Sequence, residues 1–180
     1  QNVKSRTYYN LEIDGTGSKS TQGDITINNN LTITAATLDI GTGDDNLNIG
    51  GNFTNTGTFS SSGEVITFDG TSSQTIPSII DADATIYINK SSGTATTNGD
   101  LTLNRLYLQD GTLLVDGETL TMDDNYGLTF NGGTLQITSG LVHITSSSSN
   151  SLQMNGGTLD IDGDRKSTRL NSSHRCISYA

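Results

Sequence analysis

The sequence predicts an all-β chain folded as a parallel β-helix, a solenoid with three short strands per coil and about 22–24 residues in each coil. Three observations carry this. The stretch Asn131-Gly132-Gly133-Thr134-Leu135-Gln136-Ile137 returns 24 positions later as Asn155-Gly156-Gly157-Thr158-Leu159-Asp160-Ile161. Two columns of apolar strands share one pair of steps: Leu106 to Leu128 to Leu152 and Leu113 to Leu135 to Leu159 both advance by 22 and then 24 residues. The composition holds one Pro, no Trp, 21 Gly and 31% hydrophobic residues, which suits short strands broken by corners and disfavours long helices.

The pattern opens at Tyr8-Tyr9-Asn10-Leu11-Glu12-Ile13, where apolar and polar residues alternate as in a half-buried strand. Strands follow at Ile25 to Ile27, Leu31 to Ile33 and Leu38 to Ile40. The same order returns at Leu101 to Leu103, Leu106 to Leu108 and Leu113 to Val115, offset by 75 or 76 residues, so a long repeat encloses shorter ones. In the second half a further column runs through Leu101 to Leu103, Leu120 to Met122 and Val142 to Ile144. Between residues 50 and 82 the apolar positions Phe53, Phe59, Val65, Phe68, Ile76 and Ile80 are irregular, which reads as the same solenoid with wider corners. Residues 1–163 then make about seven coils. A two-sheet sandwich also uses short strands and frequent turns, but the repeated step argues against it.

The motifs Tyr-Tyr-Asn-Leu-Glu-Ile, Gly51-Asn52-Phe53-Thr54-Asn55-Thr56-Gly57-Thr58-Phe59, the run from Ile66 to Ile76 and the Gly-Thr-Leu strands are similar to repeats of large secreted surface proteins of Bacteroidota. That resemblance spans about residues 8–163. It implies a right-handed, adhesin-like parallel β-helix at the cell surface or secreted, with glycans or other surface proteins as partners. Such proteins are often exported by the type IX route, whose C-terminal sorting domain has no counterpart in these residues.

From Asp164 to Ala180 the repeat stops and the composition turns basic. The string Asp-Arg-Lys-Ser-Thr-Arg-Leu-Asn-Ser-Ser-His-Arg-Cys-Ile-Ser-Tyr-Ala resembles the conceptual translation of a short-read sequencing adapter, with Arg175 and Cys176 at its index. Residues 164–180 are therefore read as a non-native tail on a β-helix fragment. Setting the tail aside removes the chain's one cysteine and makes the repeats more acidic than the −10 of the full sequence. Such a surface repels phosphate, so nucleic acid is not an expected partner. No apolar run reaches the roughly 20 residues of a membrane helix, and no membrane insertion is expected. The fragment should end on bare strand edges that favour self-association.

Outward positions follow from the columns: Thr102, Thr121 and His143; Tyr107, Thr129 and Gln153; Leu114, Gln136 and Asp160. A pectate-lyase-like site needs clustered acids for calcium with a nearby Lys or Arg as base, and Lys90 and Arg105 fall outside these columns. A glycosidase needs two facing carboxylates, and no column stacks a pair. No catalytic residue is assigned. The one metal candidate is calcium at Asp44, Asp45 and Asn46, within a single Gly-rich nonapeptide that resembles a repeat-in-toxin turn but lacks the successive copies that complete such sites. Asp81 with Asp83, and Asp123-Asp124, read as solvated corners, and His143 as a surface residue. Tyr8, Tyr9, Tyr87 and Tyr107 fit packing between coils better than stacking on sugar rings. The expected function is a non-enzymatic, extracellular structural or adhesive solenoid segment; the alternative is a non-catalytic portion of a polysaccharide-active, pectate-lyase-like β-helix.

Overall fold

Alternating side chains and short corners let each strand hydrogen-bond to the strand one coil before it, and the chain rises as a stack. The computed structural model describes residues 1–41, 45–61, 63–78, 80–145 and 151–161, with backbone only at 123–126. Among these residues every strand pairing is parallel.

The first coil is β1 (Asn2–Val3), β2 (Arg6–Tyr8) and β3 (Leu11–Ile13), the second β4 (Ser18–Thr21), β5 (Ile25–Ile27) and β6 (Leu31–Ile33). The third is β7 (Thr37–Asp39), β8 (Asn46–Ile49) and β9 (Phe53–Asn55), the fourth β10 (Thr58–Ser60), β11 (Val65–Phe68) and β12 (Gln74–Pro77). Strands then run through the corners: β13 (Thr85–Asn98), β14 (Leu101–Val115) and β15 (Thr119–Phe130). β16 (Thr134–Ile137), β17 (Leu141–Ile144), β18 (Leu152–Met154) and β19 (Thr158–Ile161) complete the stack.

The middle column shows the register. Arg6 faces Ile25, then Leu47, Ile66, Ile86, Leu106, Leu128 and Leu152, so seven steps join eight strands. The predicted columns of the second half recur residue for residue: Leu101 with Leu120 and Leu120 with Val142, Leu113 with Leu135 and Leu135 with Leu159. The 24-residue step belongs to that half; a 22-residue step also joins Ile25 to Leu47, but earlier coils are mostly shorter, as the pairs Arg6 with Ile25 and Leu47 with Ile66 show.

Two expectations are refined. Between residues 50 and 82 the corner from β11 to β12 takes residues 69–73, wider than 50–52 one coil earlier, although Leu47 to Ile66 is among the shorter steps, and the inward residue is Ile66, fully buried, rather than the half-buried Val65. The 75-residue repeat is real as sequence but is not a repeat of position. Ile25 to Ile27 stands in the middle column, whereas Leu101 to Leu103 precedes the middle-column strand Leu106 to Leu108 and stands in the first. All three faces offer the same environment, an alternating strand over an apolar interior, so a motif can shift by one face without penalty.

The interior is a continuous apolar column in which Ile27, Ile49, Phe68, Ile88, Leu108 and Phe130 lie above one another, each fully buried. Burying each such side chain contributes about 1.5–3 kcal/mol before conformational entropy is counted. Phe53 and Phe59 meet edge to face in the interior with centroids 5.3 Å apart.

Corners are held by side-chain amides that bond one coil to the next. Asn10 Oδ1 accepts from Asn29 Nδ2 at 2.9 Å and from the Asn30 amide at 3.1 Å. Asn30 Oδ1 accepts from the Asn52 amide, and Asn52 Oδ1 from the Thr75 amide, both at 2.9 Å. The predicted stacking of the two Asn-Gly-Gly corners is present: Asn155 Nδ2 donates to Asn131 Oδ1 at 3.1 Å. The glycines are there for closeness as well as for φ. A Cβ on Gly132 would lie 2.6 Å from the Gln109 carbonyl oxygen, and one on Gly156 would lie 2.8 Å from that of Asn131.

Candidate functional site

Length variation gathers at one edge of the prism, between the first and middle columns. Leu103 is separated from Arg105 by Asn104 alone, while one coil later Met122 and Gly127 enclose four residues. This edge collects most of the acidic residues singled out in the sequence: Asp45, Asp81 and Asp83, with Asp123 and Asp124 by chain position. The side chains of Asp123 and Asp124, and all of Asp44, lie outside the described residues.

Two of the three calcium candidates are described, and both bind the coil beneath. Asp45 Oδ2 accepts from Thr21 Oγ1 at 3.0 Å and from the Gly23 amide at 2.9 Å. The Asn46 amide and Nδ2 both donate to Asp24 Oδ1, at 2.8 and 3.1 Å. No group of three metal-ligating side chains occurs among the described residues.

Other carboxylates serve in the same way. Asp81, half-buried rather than openly solvated, accepts from the Ser61 amide at 3.0 Å and, with its other oxygen, from the Asp83 amide at 3.1 Å. Asp100 accepts from the Thr119 amide at 2.7 Å. The hydroxyls of Thr138 and Ser139 donate to Asp116 Oδ1 at 2.6 and 2.8 Å, and they hold that carboxyl below the usual aspartate range. A carboxylate that accepts such bonds favours its charged form.

On the outer faces Thr102, His143 and Asp160 are exposed, and Thr121, Tyr107, Gln153, Leu114 and Gln136 are half-buried. Thr129 differs from expectation: it is only 7% exposed, flanked in its ladder by Tyr107 and Gln153. Tyr87 and Tyr107 pair in the same ladder and stack with centroids 4.5 Å apart and planes 15° from parallel. That separation is close to the strand spacing, so each ring covers a face of the other and solvent meets ring edges. Burial raises the Tyr87 pKa; Tyr107 adds to this and Arg105 opposes it. The expected packing role holds for this pair. Tyr8 is half-buried and its hydroxyl donates to the Lys4 carbonyl at 3.0 Å, whereas Tyr9 is 71% exposed.

Lys90 was placed outside the outward columns by the sequence, but its role was missed. It continues the inward alternation of Ile86 and Ile88 into the corner and is fully buried. Nζ donates to the carbonyls of Gly70 at 2.5 Å and Ser72 at 2.9 Å and to Gln74 Oε1 at 2.5 Å. Three acceptors match the three N–H groups of an ammonium. Gln74, itself 2% exposed, donates Nε2 to the carbonyls of Ile49 and Gly51, so one polar unit ties three successive coils together. Burial lowers the Lys90 pKa, and Asp69 partly offsets this. The signal in the sequence was the phase: Ile86, Ile88 and Lys90 share one face.

A shallow cavity of about 350 Å³ lies on the outside of the third column, lined by Asn52, Thr54, Thr56, Thr75, Pro77 and Asn98 among others. Its walls offer hydroxyls and carboxamides and no ionisable group. Such a surface can hydrogen-bond a neutral polar ligand but supplies neither acid nor base. No helix of the described structure is long and apolar enough to cross a membrane. Comparisons with protein-family models, curated proteins and solved structures return no match to this chain.

Proposed function

We propose that this chain is a non-enzymatic, extracellular solenoid segment of a bacterial surface or secreted protein, serving as a rigid spacer and a weak polar contact surface for glycans. The observation that carries the reading is how the carboxylates are used. Asp24, Asp45, Asp81, Asp100 and Asp116 each accept hydrogen bonds from a neighbouring coil, so they reinforce the rod. The stacked parallel ladders give the stiffness a spacer needs. The Asn- and Thr-lined cavity on the third column has the chemistry of a sugar-hydroxyl contact.

The test is a panel of polysaccharides, read for both retention and new reducing ends. Retention without turnover, weakened by Thr54→Ala with Thr75→Ala, is the expected result. Turnover by the recombinant chain would instead favour the polysaccharide-active alternative, and neither retention nor turnover would leave only the spacer role.

A further inference from the structure

Three asparagines in the chain are followed by glycine: Asn98-Gly99, Asn131-Gly132 and Asn155-Gly156. Asparagine is a thermolabile residue, and this dipeptide carries the chemistry within itself. The amide nitrogen that follows an asparagine can attack its side-chain carboxamide, and glycine, lacking a Cβ, shields that nitrogen least. Folding decides which pair can reach the attacking geometry, because the carboxamide and the amide must both be free to turn.

Two of the three are held. Asn155 Nδ2 donates to Asn131 Oδ1 at 3.1 Å, so one bond fixes both carboxamides in the corner ladder. The Asn131 and Gly132 amides both donate to the Leu108 carbonyl, at 2.9 and 3.2 Å, and the Asn155 amide donates to that of Phe130 at 2.8 Å. The Asn98 corner is tied to the next coil elsewhere: Asp100, two residues on, accepts from the Thr119 amide at 2.7 Å. The Asn98 side chain is exposed on the wall of the third-column cavity and has no hydrogen-bond partner among the described residues. Gly99 takes φ +111°, in the left-handed region that glycine alone enters freely.

We propose that Asn98-Gly99 is a self-modifying corner of the solenoid, a site of spontaneous deamidation. The Gly99 nitrogen bonds to Asn98 Cγ as the Cγ–Nδ2 bond breaks. Nδ2 leaves as ammonia with the proton that the Gly99 nitrogen gives up, and a cyclic imide remains. Water then opens one of the two imide carbonyls, leaving either an aspartyl residue or an isoaspartyl residue whose side-chain methylene has entered the main chain. Both products put a carboxylate on a cavity wall that otherwise carries no ionisable group. The isoaspartyl form also lengthens the backbone beside Gly99, where a Cβ would already lie 2.7 Å from the Ser78 Cβ and 2.9 Å from its Oγ. Close-packed coils cannot absorb the extra atom without moving apart at this corner.

The full chain, incubated folded in mildly alkaline buffer made with heavy-oxygen water, tests this beside the same chain unfolded in guanidinium chloride. Digestion with pepsin in acid and mass spectrometry then read each asparagine for conversion and for the oxygen label. Asn98 is expected to convert in the folded chain, and Asn131 and Asn155 about tenfold more slowly, equivalent to about 1.4 kcal/mol of added barrier. The incubated chain should melt at a lower temperature than the fresh one. Asn98→Gln keeps an exposed carboxamide but sets it one methylene further from the Gly99 nitrogen; it should leave the circular dichroism spectrum unchanged and abolish both the conversion and the fall in melting temperature. Conversion of Asn131 or Asn155 as fast as Asn98 in the folded chain, or an Asn98 that stays intact while the unfolded chain converts, would overturn the proposal.

Discussion

Lys90 Nζ donates to Gln74 Oε1 at 2.5 Å, and both side chains are buried inside a stack lined mainly by Ile, Leu, Val and Phe. Gln74 is in register with the buried Ala95, on the strand that carries Lys90. The corner that Asn side chains hold in the earlier coils is held here from inside.

Lys90→Met keeps the stem and removes the three donors, leaving the Gly70 and Ser72 carbonyls without their partner. The expected loss is about 2–4 kcal/mol of unfolding free energy, because buried unsatisfied groups carry their full desolvation cost. Gln74→Leu alone should cost a similar amount. The double variant should cost less than the two single losses together, measured as a double-mutant cycle in urea. Additivity would mean that the two side chains do not act as one unit.

Gly111 and Gly15 have similar φ, +78° and +83°, but different surroundings. A Cβ at Gly111 would lie 2.6 Å from the Lys90 carbonyl oxygen, whereas nothing is within 4 Å of one at Gly15. Gly15→Ala should cost about 1 kcal/mol, the backbone term alone. Gly111→Ala should cost about 2–4 kcal/mol, since the backbone of a neighbouring coil must also move. Equal losses in thermal or urea melts would show that the coils do not approach as closely as described.

Asp116 provides the pH test. Its folded pKa is held below the ordinary value of 3.8 by the Thr138 hydroxyl first and the Ser139 hydroxyl second. The unfolded chain then binds a proton more readily than the folded one. The contribution to stability is present above the ordinary aspartate value and is lost as pH falls through the lowered folded pKa. Carboxyl-carbon NMR should show Asp116 titrating below the ordinary value, and Thr138→Ala with Ser139→Ala should move its midpoint up. No movement would remove the hydroxyls as the cause.

At the calcium candidate, Asp45 and Asn46 already bond to the coil beneath. Millimolar calcium is expected to leave the melting temperature unchanged, whereas Asp45→Ala should lower stability by about 1–2 kcal/mol through the lost amide and hydroxyl bonds. A calcium-dependent rise in melting temperature that Asp45→Ala abolishes would place a cation at this corner.

The stacking of two Asn-Gly-Gly corners, the three columns of the second half and the parallel solenoid itself were legible in the residues, because an alternating strand and a repeated step constrain where each side chain can point. The Tyr87 and Tyr107 packing was legible for the same reason. The candidate calcium corner could be located in the sequence, but the partners of Asp45 could not. Thr21 and Gly23 are brought to it by coil stacking rather than by nearness along the chain.

The sequence by itself determined the class of fold and the inward phase of most strands, since the two-residue period and the near-constant step are properties of the chain alone. The tertiary structure decided what depends on contacts between coils. It shifted the 75-residue repeat by one face, because three equivalent faces do not distinguish one strand motif from another. It gave Lys90, which the sequence keeps out of the outward columns, its partners, because only stacking puts the carbonyls of Gly70 and Ser72 beside its ammonium. It also set the Arg6 guanidinium over the Tyr8 ring in the first coil, at the positions that Ile25 and Ile27 hold one coil later.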